Sequence, residues 1–169
     1  MMIKKILAAG FILFFICQPV LAEGNLEKAD RYFSEGNFKK SAKYAEKALK
    51  EDPGNIKACV FLAESFSERG QMTKAIEVYK DMIKQFPDNM DLVFRLGLVY
   101  NKFEYHQNAV DTYKKILEKE PGNVLAHHRL GVSYSRCMEL SAAYAEYRIL
   151  KNLDDKLARD LLQYIQTNK

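Results

Sequence analysis

Pro53, Pro87 and Pro121 stand 34 residues apart. Tyr32, Phe66, Tyr100 and Tyr134 keep that interval, as do Leu62, Leu96 and Leu130. So do Ala75, Ala109 and Ala143, and then Tyr79, Tyr113 and Tyr147. A fixed period of about 20–50 residues marks stacked supersecondary units that share one continuous core. Unrelated amphipathic helices would not bring so many columns into register.

Each 34-residue unit divides into two helical stretches. Ile56 to Glu68 carries apolar or small residues at Cys59, Leu62, Ala63 and Phe66, and the stretch from about Thr73 to Gln85 does so at Ala75, Ile76, Tyr79 and Met82. Spacings of three and four place each set on one helical face. Gly36 and Gly70 fall between the paired stretches, where a tight turn needs unusual backbone angles. Asp52-Pro53-Gly54-Asn55, Phe86-Pro87-Asp88-Asn89 and Glu120-Pro121-Gly122-Asn123 join the units. Proline turns the residue before it out of helical geometry, and the asparagine two residues later can cap the next helix. Small residues at Ala29, Ala63, Gly97 and Gly131, opposite Ser41, Ala75, Ala109 and Ala143, allow close approach within each pair.

These columns resemble the tetratricopeptide repeat (TPR) family. Leu96-Gly97-x-x-Tyr100, Ala109-x-x-x-Tyr113 and Pro121 match its pattern directly. Leu130-Gly131-x-x-Tyr134 with Ala143-x-x-x-Tyr147 matches again, as does Leu62-Ala63-x-x-Phe66 with Ala75-x-x-x-Tyr79 and Pro87. Ala29, Tyr32, Gly36, Ala48 and Pro53 mark a weaker first unit. The family's tryptophan column holds Asn25, Cys59, Val93 and His127, and Asp155 stands where a fourth proline would fall. The resemblance implies an all-α, TPR-like α-solenoid of antiparallel helix pairs, with repeats at about 23–55, 56–89, 90–123 and 124–153. Leu157, Leu161, Leu162 and Ile165 then predict a capping helix at about 156–166.

The N-terminus carries a different signal. Lys4 and Lys5 precede an apolar run from Ile6 to Ile16, and Val20-Leu21-Ala22 supplies the residues a signal peptidase prefers. The expectation is a signal peptide over 1–22, a single domain over 23–169 and export to the periplasm. The alternative is an uncleaved anchor, although the run falls short of the ~20 apolar residues that span a bilayer. The remaining chain has 24 basic and 22 acidic residues, a net charge of +2. That balance and the lack of an aromatic-interleaved basic patch argue against nucleic acid. Cys59 and Cys137 lie in different repeats at different phases, so they are expected to be unpaired.

Nothing in the sequence organises chemistry. His106, His127 and His128 form no i, i+4 pair or HExxH motif, and no phosphate-binding loop or activated nucleophile appears. Neither enzyme activity, a metal nor a cofactor is expected. His127 falls in the packed column, whereas His128 should point about 100° away, toward the groove.

The resemblance puts first helices on a concave face, with exposed residues between the packing columns. The expected partner-binding groove comprises Val60, Glu64, Asp91, Phe94, Arg95, Leu98, His128, Arg129 and Val132. Its apolar members suit a peptide or helix laid in the groove, with Arg95, Arg129, Glu64 and Asp91 orienting it. One TPR subclass clamps a terminal carboxylate with Lys and Asn on successive first helices. Here Leu26, Asp30, Phe61 and Asp91 fill four of those columns and only Arg95 fits, so that clamp is not expected. The function expected is therefore an exported binding module for a protein or peptide. The resemblance allows roles in envelope assembly, secretion, pilus biogenesis or cytochrome maturation. A self-associating scaffold, acting through repeat edges or the C-terminal helix, is the alternative.

Overall fold

The computed structural model describes residues 23–167. These residues form nine helices and no strand: α1 (Asn25–Ser34), α2 (Phe38–Glu51), α3 (Ile56–Glu68), α4 (Met72–Gln85), α5 (Met90–Lys102), α6 (His106–Lys119), α7 (Val124–Arg136), α8 (Leu140–Leu153) and α9 (Asp155–Thr167). The signal peptide or anchor expected over 1–22, with Cys17, lies outside the described residues. No described helix is long and apolar enough to cross a membrane.

The helices pack in sequence as pairs, α1 with α2, α3 with α4, α5 with α6 and α7 with α8. Each pair then stacks on the next, so the core runs along the solenoid. Its recurrent elements are Ala29, Ala63 and Gly97 on first helices and Ala75, Tyr79, Ala109, Tyr113 and Ala143 on second helices, all buried. Ser41, the one polar residue in its column, donates its hydroxyl to the Ala29 carbonyl at 2.9 Å. That bond removes the cost of burying an unpaired hydroxyl. At Gly97 the approach is close, for a Cβ there would lie 2.6 Å from the Tyr113 ring.

Joints between repeats follow the chemistry of their residues. Asp52, before Pro53, is extended at φ −139° and ψ 96°. The side chains of Asn55, Asn89 and Asn123 accept from the amides of Ala58, Leu92 and Ala126 at 3.0, 3.2 and 2.9 Å. At the last joint Asp155 replaces proline, and α9 begins there without the two-residue turn. Asp154 caps it by accepting from Leu157 N at 3.0 Å.

Turns inside the pairs share one backbone state. Gly36 and Gly70 have φ of 72°, and Glu104 and Met138 occupy the same column at 64° and 62°. A side chain in this left-handed region costs about 1–2 kcal/mol, partly offset by glycine's greater freedom when unfolded. Met138 is 68% exposed and so contributes little packing in return. Met138→Gly is expected to stabilise the protein by up to about 1 kcal/mol, raising the urea midpoint. Gly97→Ala is expected to lower it. Overpacking against the fully buried Tyr113 costs about 1–3 kcal/mol, against about 1 kcal/mol recovered in helix propensity.

Candidate functional site

The first helices α3, α5 and α7 present a continuous strip between the buried columns. Val60, Phe94 and Val132 are half-buried and pack partly against the core, while Leu98 is half-buried between two clefts. Phe94 sits with its ring centroid 5.6 Å from that of Tyr113, and Phe61 stands 5.7 Å from Phe33. Part of each aromatic surface is therefore used in holding neighbouring helices together.

Charged members of the strip are engaged with one another. Arg95, one-third exposed, reaches Glu64 of the preceding repeat at 2.5 Å and Asp91, four residues back, at 2.8 Å. Both partners are carboxylates, so one guanidinium ties α3 to α5 through charge-assisted bonds. Two turns further along α5, Lys102 pairs with Glu68 at 2.7 Å. The phenol of Tyr79 lies beside this cluster, and burial, reinforced by Glu64, pushes its ionisation far above the ordinary range. Tyr79 remains neutral and serves as packing.

His128 requires a correction. Sequence spacing points it toward the open groove, but it is only 7% exposed and its Nε2 lies 2.7 Å from Asp160 Oδ2 of α9. The reason is that α9 packs on α7 and α8 where the first helix of another repeat would lie. Leu161 reaches across to Gly131, where a Cβ would stand 2.4 Å from its methyl. His127 is buried as its packing column implies, with Nδ1 at 2.6 Å from Glu146 Oε2 and Nε2 at 2.8 Å from the Pro121 carbonyl. Arg129 and Asp91 remain exposed.

Two clefts indent the strip. The first, about 170 Å³, lies between α3 and α5 beside Glu64, Glu68, Arg95, Leu98 and Lys102. The second, about 320 Å³, lies between α5 and α7 beside Leu98, Asn101, Lys102, Arg129, Val132 and Arg136. Its far wall is Tyr164 of α9, whose hydroxyl accepts from Arg136 Nε. Asn101 Nδ2, on the α5 wall, donates to the buried Ser133 Oγ of α7 at 2.8 Å. The roles of His106, Arg136 and Tyr164 here escaped sequence reasoning. Only the 34-residue offset from Lys102 to Arg136 offered a signal.

Described residues contain no cluster of His, Cys, Asp and Glu arranged to hold a metal ion. Cys59 and Cys137 are free thiols, as their phases predict. Burial pushes the Cys59 thiol up to about 12, so it stays protonated and unreactive at neutral pH.

Nine helices stacked at a 34-residue period, with the aromatic, small and proline columns in place, agree with comparisons to known proteins. A tetratricopeptide-repeat family model matches residues 32–97. The structure is an all-α, TPR-like solenoid. A crystal structure of MamA is similar at 18% identity and a TM-score of 0.64, over 83% of this chain and 91% of that one. MamA 41-end from Desulfovibrio magneticus RS-1 is similar at 13% identity and 0.65, over 83% and 88%. A tetratricopeptide repeat protein from Parabacteroides merdae ATCC 43184 reaches 0.72 at 15% identity, over 85% of this chain but 58% of that one. At such identities the likeness is one of fold. No curated protein matches the chain. Folds of the TPR class generally mediate protein–protein interaction.

Because Leu161 is fully buried between α9 and Gly131, Leu161→Ala is expected to destabilise the protein by about 2–5 kcal/mol. Chemical denaturation measures the loss. His128 should become more accessible in the same variant, which its faster exchange or modification would report.

Proposed function

We propose that the protein is an exported binding module that holds a partner peptide or helix in its concave groove. The observation that carries this reading is the half-buried strip of Val60, Phe94, Leu98 and Val132 along successive first helices. An apolar strip with charged edges suits a segment that contributes its own apolar face. Glu64, Arg95 and Asp91 form a charged edge in which both carboxylates bond the one guanidinium. Arg129 is the more available orienting group. Phe94 acts through its exposed edge, the rest of the ring being packed on Tyr113. His128 has no part in the groove while α9 covers it.

The basic and apolar pattern of residues 1–22 supports export, with the periplasm as destination and envelope assembly or secretion as the setting. An N-terminal anchor would leave the same groove facing the same compartment. The TPR-like fold, generally an interaction module, supports a non-enzymatic role.

Affinity capture from envelope extract with the full chain tests the groove. Leu98→Ser/Val132→Ser, which removes apolar surface without disturbing a ring contact, is expected to lose the partners the parent chain retains. Equal recovery by a variant of unchanged circular dichroism would refute the groove reading.

A second reading, self-association, draws on α8. Ile149 and Leu153 lie one helical turn apart there and are exposed at 40% and 47%. If copies pair through that face, Ile149→Glu/Leu153→Glu is expected to convert a dimer to a monomer in light scattering. A parent chain that is monomeric at high concentration excludes this reading.

A further inference from the structure

The two clefts of the groove are the same cleft one repeat apart, and they differ in charge. A shift of 34 residues carries Glu64, Glu68, Arg95 and Lys102 of the first onto Leu98, Lys102, Arg129 and Arg136 of the second. In the first cleft each cation has its acid, Arg95 with Glu64 at 2.5 Å and Lys102 with Glu68 at 2.7 Å. In the second, both arginine columns remain cationic, but the columns that should supply carboxylates hold Leu98 and Lys102. No Asp or Glu lines this cleft among the described residues.

The surroundings agree with an uncompensated positive field. Arg129 makes no ion pair with a described residue, and Arg136 turns instead to Tyr164, donating to its hydroxyl and lying 5.6 Å from its ring centroid. Burial, and then the charge of Arg136, hold the His106 imidazole below its usual range, against a smaller opposing pull from Glu104. Asn101 adds neutral polar capacity on the α5 wall. Arginine is the side chain best suited to hold a carboxylate by paired, parallel hydrogen bonds. A cleft partly closed to solvent strengthens such bonds relative to an open surface.

We propose that this cleft is a carboxylate-binding subsite, receiving two acidic side chains one helical turn apart from the segment that occupies the groove. Leu98 and Lys102 fill the α5 columns equivalent to Glu64 and Glu68, so those carboxylates reach Arg129 and Arg136 from the open side of the cleft. Glu64 and Glu68 are themselves four residues apart on a helix, so an acidic helix with the same spacing offers its carboxylates at the interval the first cleft uses against its two cations. The inference rests on the groove reading for the position of that segment. Arg129 shares the column in which Arg95 fits the terminal-carboxylate clamp, but the site differs from that clamp in adding Arg136 and the α9 wall.

Glutarate provides the probe. It is titrated into the full chain at constant ionic strength, while the Nε–Hε resonances of Arg129 and Arg136 are followed by NMR. Glutaramide serves as the neutral control and inorganic phosphate as the anion control. Both resonances are expected to shift and saturate with glutarate. Leu98→Glu supplies internally the acid that position 64 supplies to Arg95, and is expected to weaken glutarate binding by about tenfold, equivalent to about 1.4 kcal/mol. Arg95→Gln, in the already compensated adjoining cleft, is expected to change it by less than about twofold, because Arg95 does not line the second cleft and shares no ion pair with Arg129 or Arg136.

Absence of saturation overturns the proposal. So does an equal response to glutaramide or phosphate, or glutarate binding that Leu98→Glu leaves unchanged. The subsite and the groove fail separately. Loss of glutarate saturation removes the subsite whatever the capture experiment gives. Unchanged capture by Leu98→Ser/Val132→Ser removes the groove, while saturation by glutarate still supports the subsite.

Discussion

Close approach between helices is the constraint on which the whole solenoid depends. A helix pair of this kind has an apolar face it cannot bury alone, and only the next pair can cover it. Tyr113 illustrates the requirement: its ring fits because residue 97 has no side chain, and it then supports Phe94 from below. The same logic operates at the end of the stack, where Leu161 of α9 fills the space left by Gly131. Small residues on first helices are thus the condition for large residues on their neighbours. Everything exposed on the first helices is positioned by that exchange.

The repeat also acts as an internal reference for charge. Equivalent columns face equivalent columns, so an ion pair in one interface predicts its counterpart 34 residues on. Arg95 with Glu64 meets that expectation, whereas Arg129 faces Leu98. Within a symmetric scaffold such a break is informative, because backbone geometry is held nearly constant while the side chains change. An isolated surface arginine would carry no comparable meaning, since exposed charges are usually only solvated.

Much of the architecture was legible from spacing. The Pro-x-Asn joints announced the helix boundaries, and the structure shows Asn55, Asn89 and Asn123 capping as their chemistry requires. Cys59 and His127 followed their columns into the core. Less of the groove could be read. Helical phase alone aimed His128 outward, since nothing local to that residue reveals that Asp160 will arrive from α9. Glu104 and Met138 gave no warning of their left-handed backbone, because only the offset from Gly36 and Gly70 identifies their column.

Period and residue type alone therefore determined the helix pairs, their joints and the packed columns, because those features depend on contacts repeated at a constant interval. Tertiary structure decided which of the remaining residues stay available. It committed Arg95 to Glu64 and Asp91, buried His128 beneath α9, and brought Arg129, Arg136 and Tyr164 around one cleft. These outcomes depend on side chains from different repeats meeting in space. A pattern read along one dimension assigns each residue a column, and only the packed solenoid assigns it a neighbour.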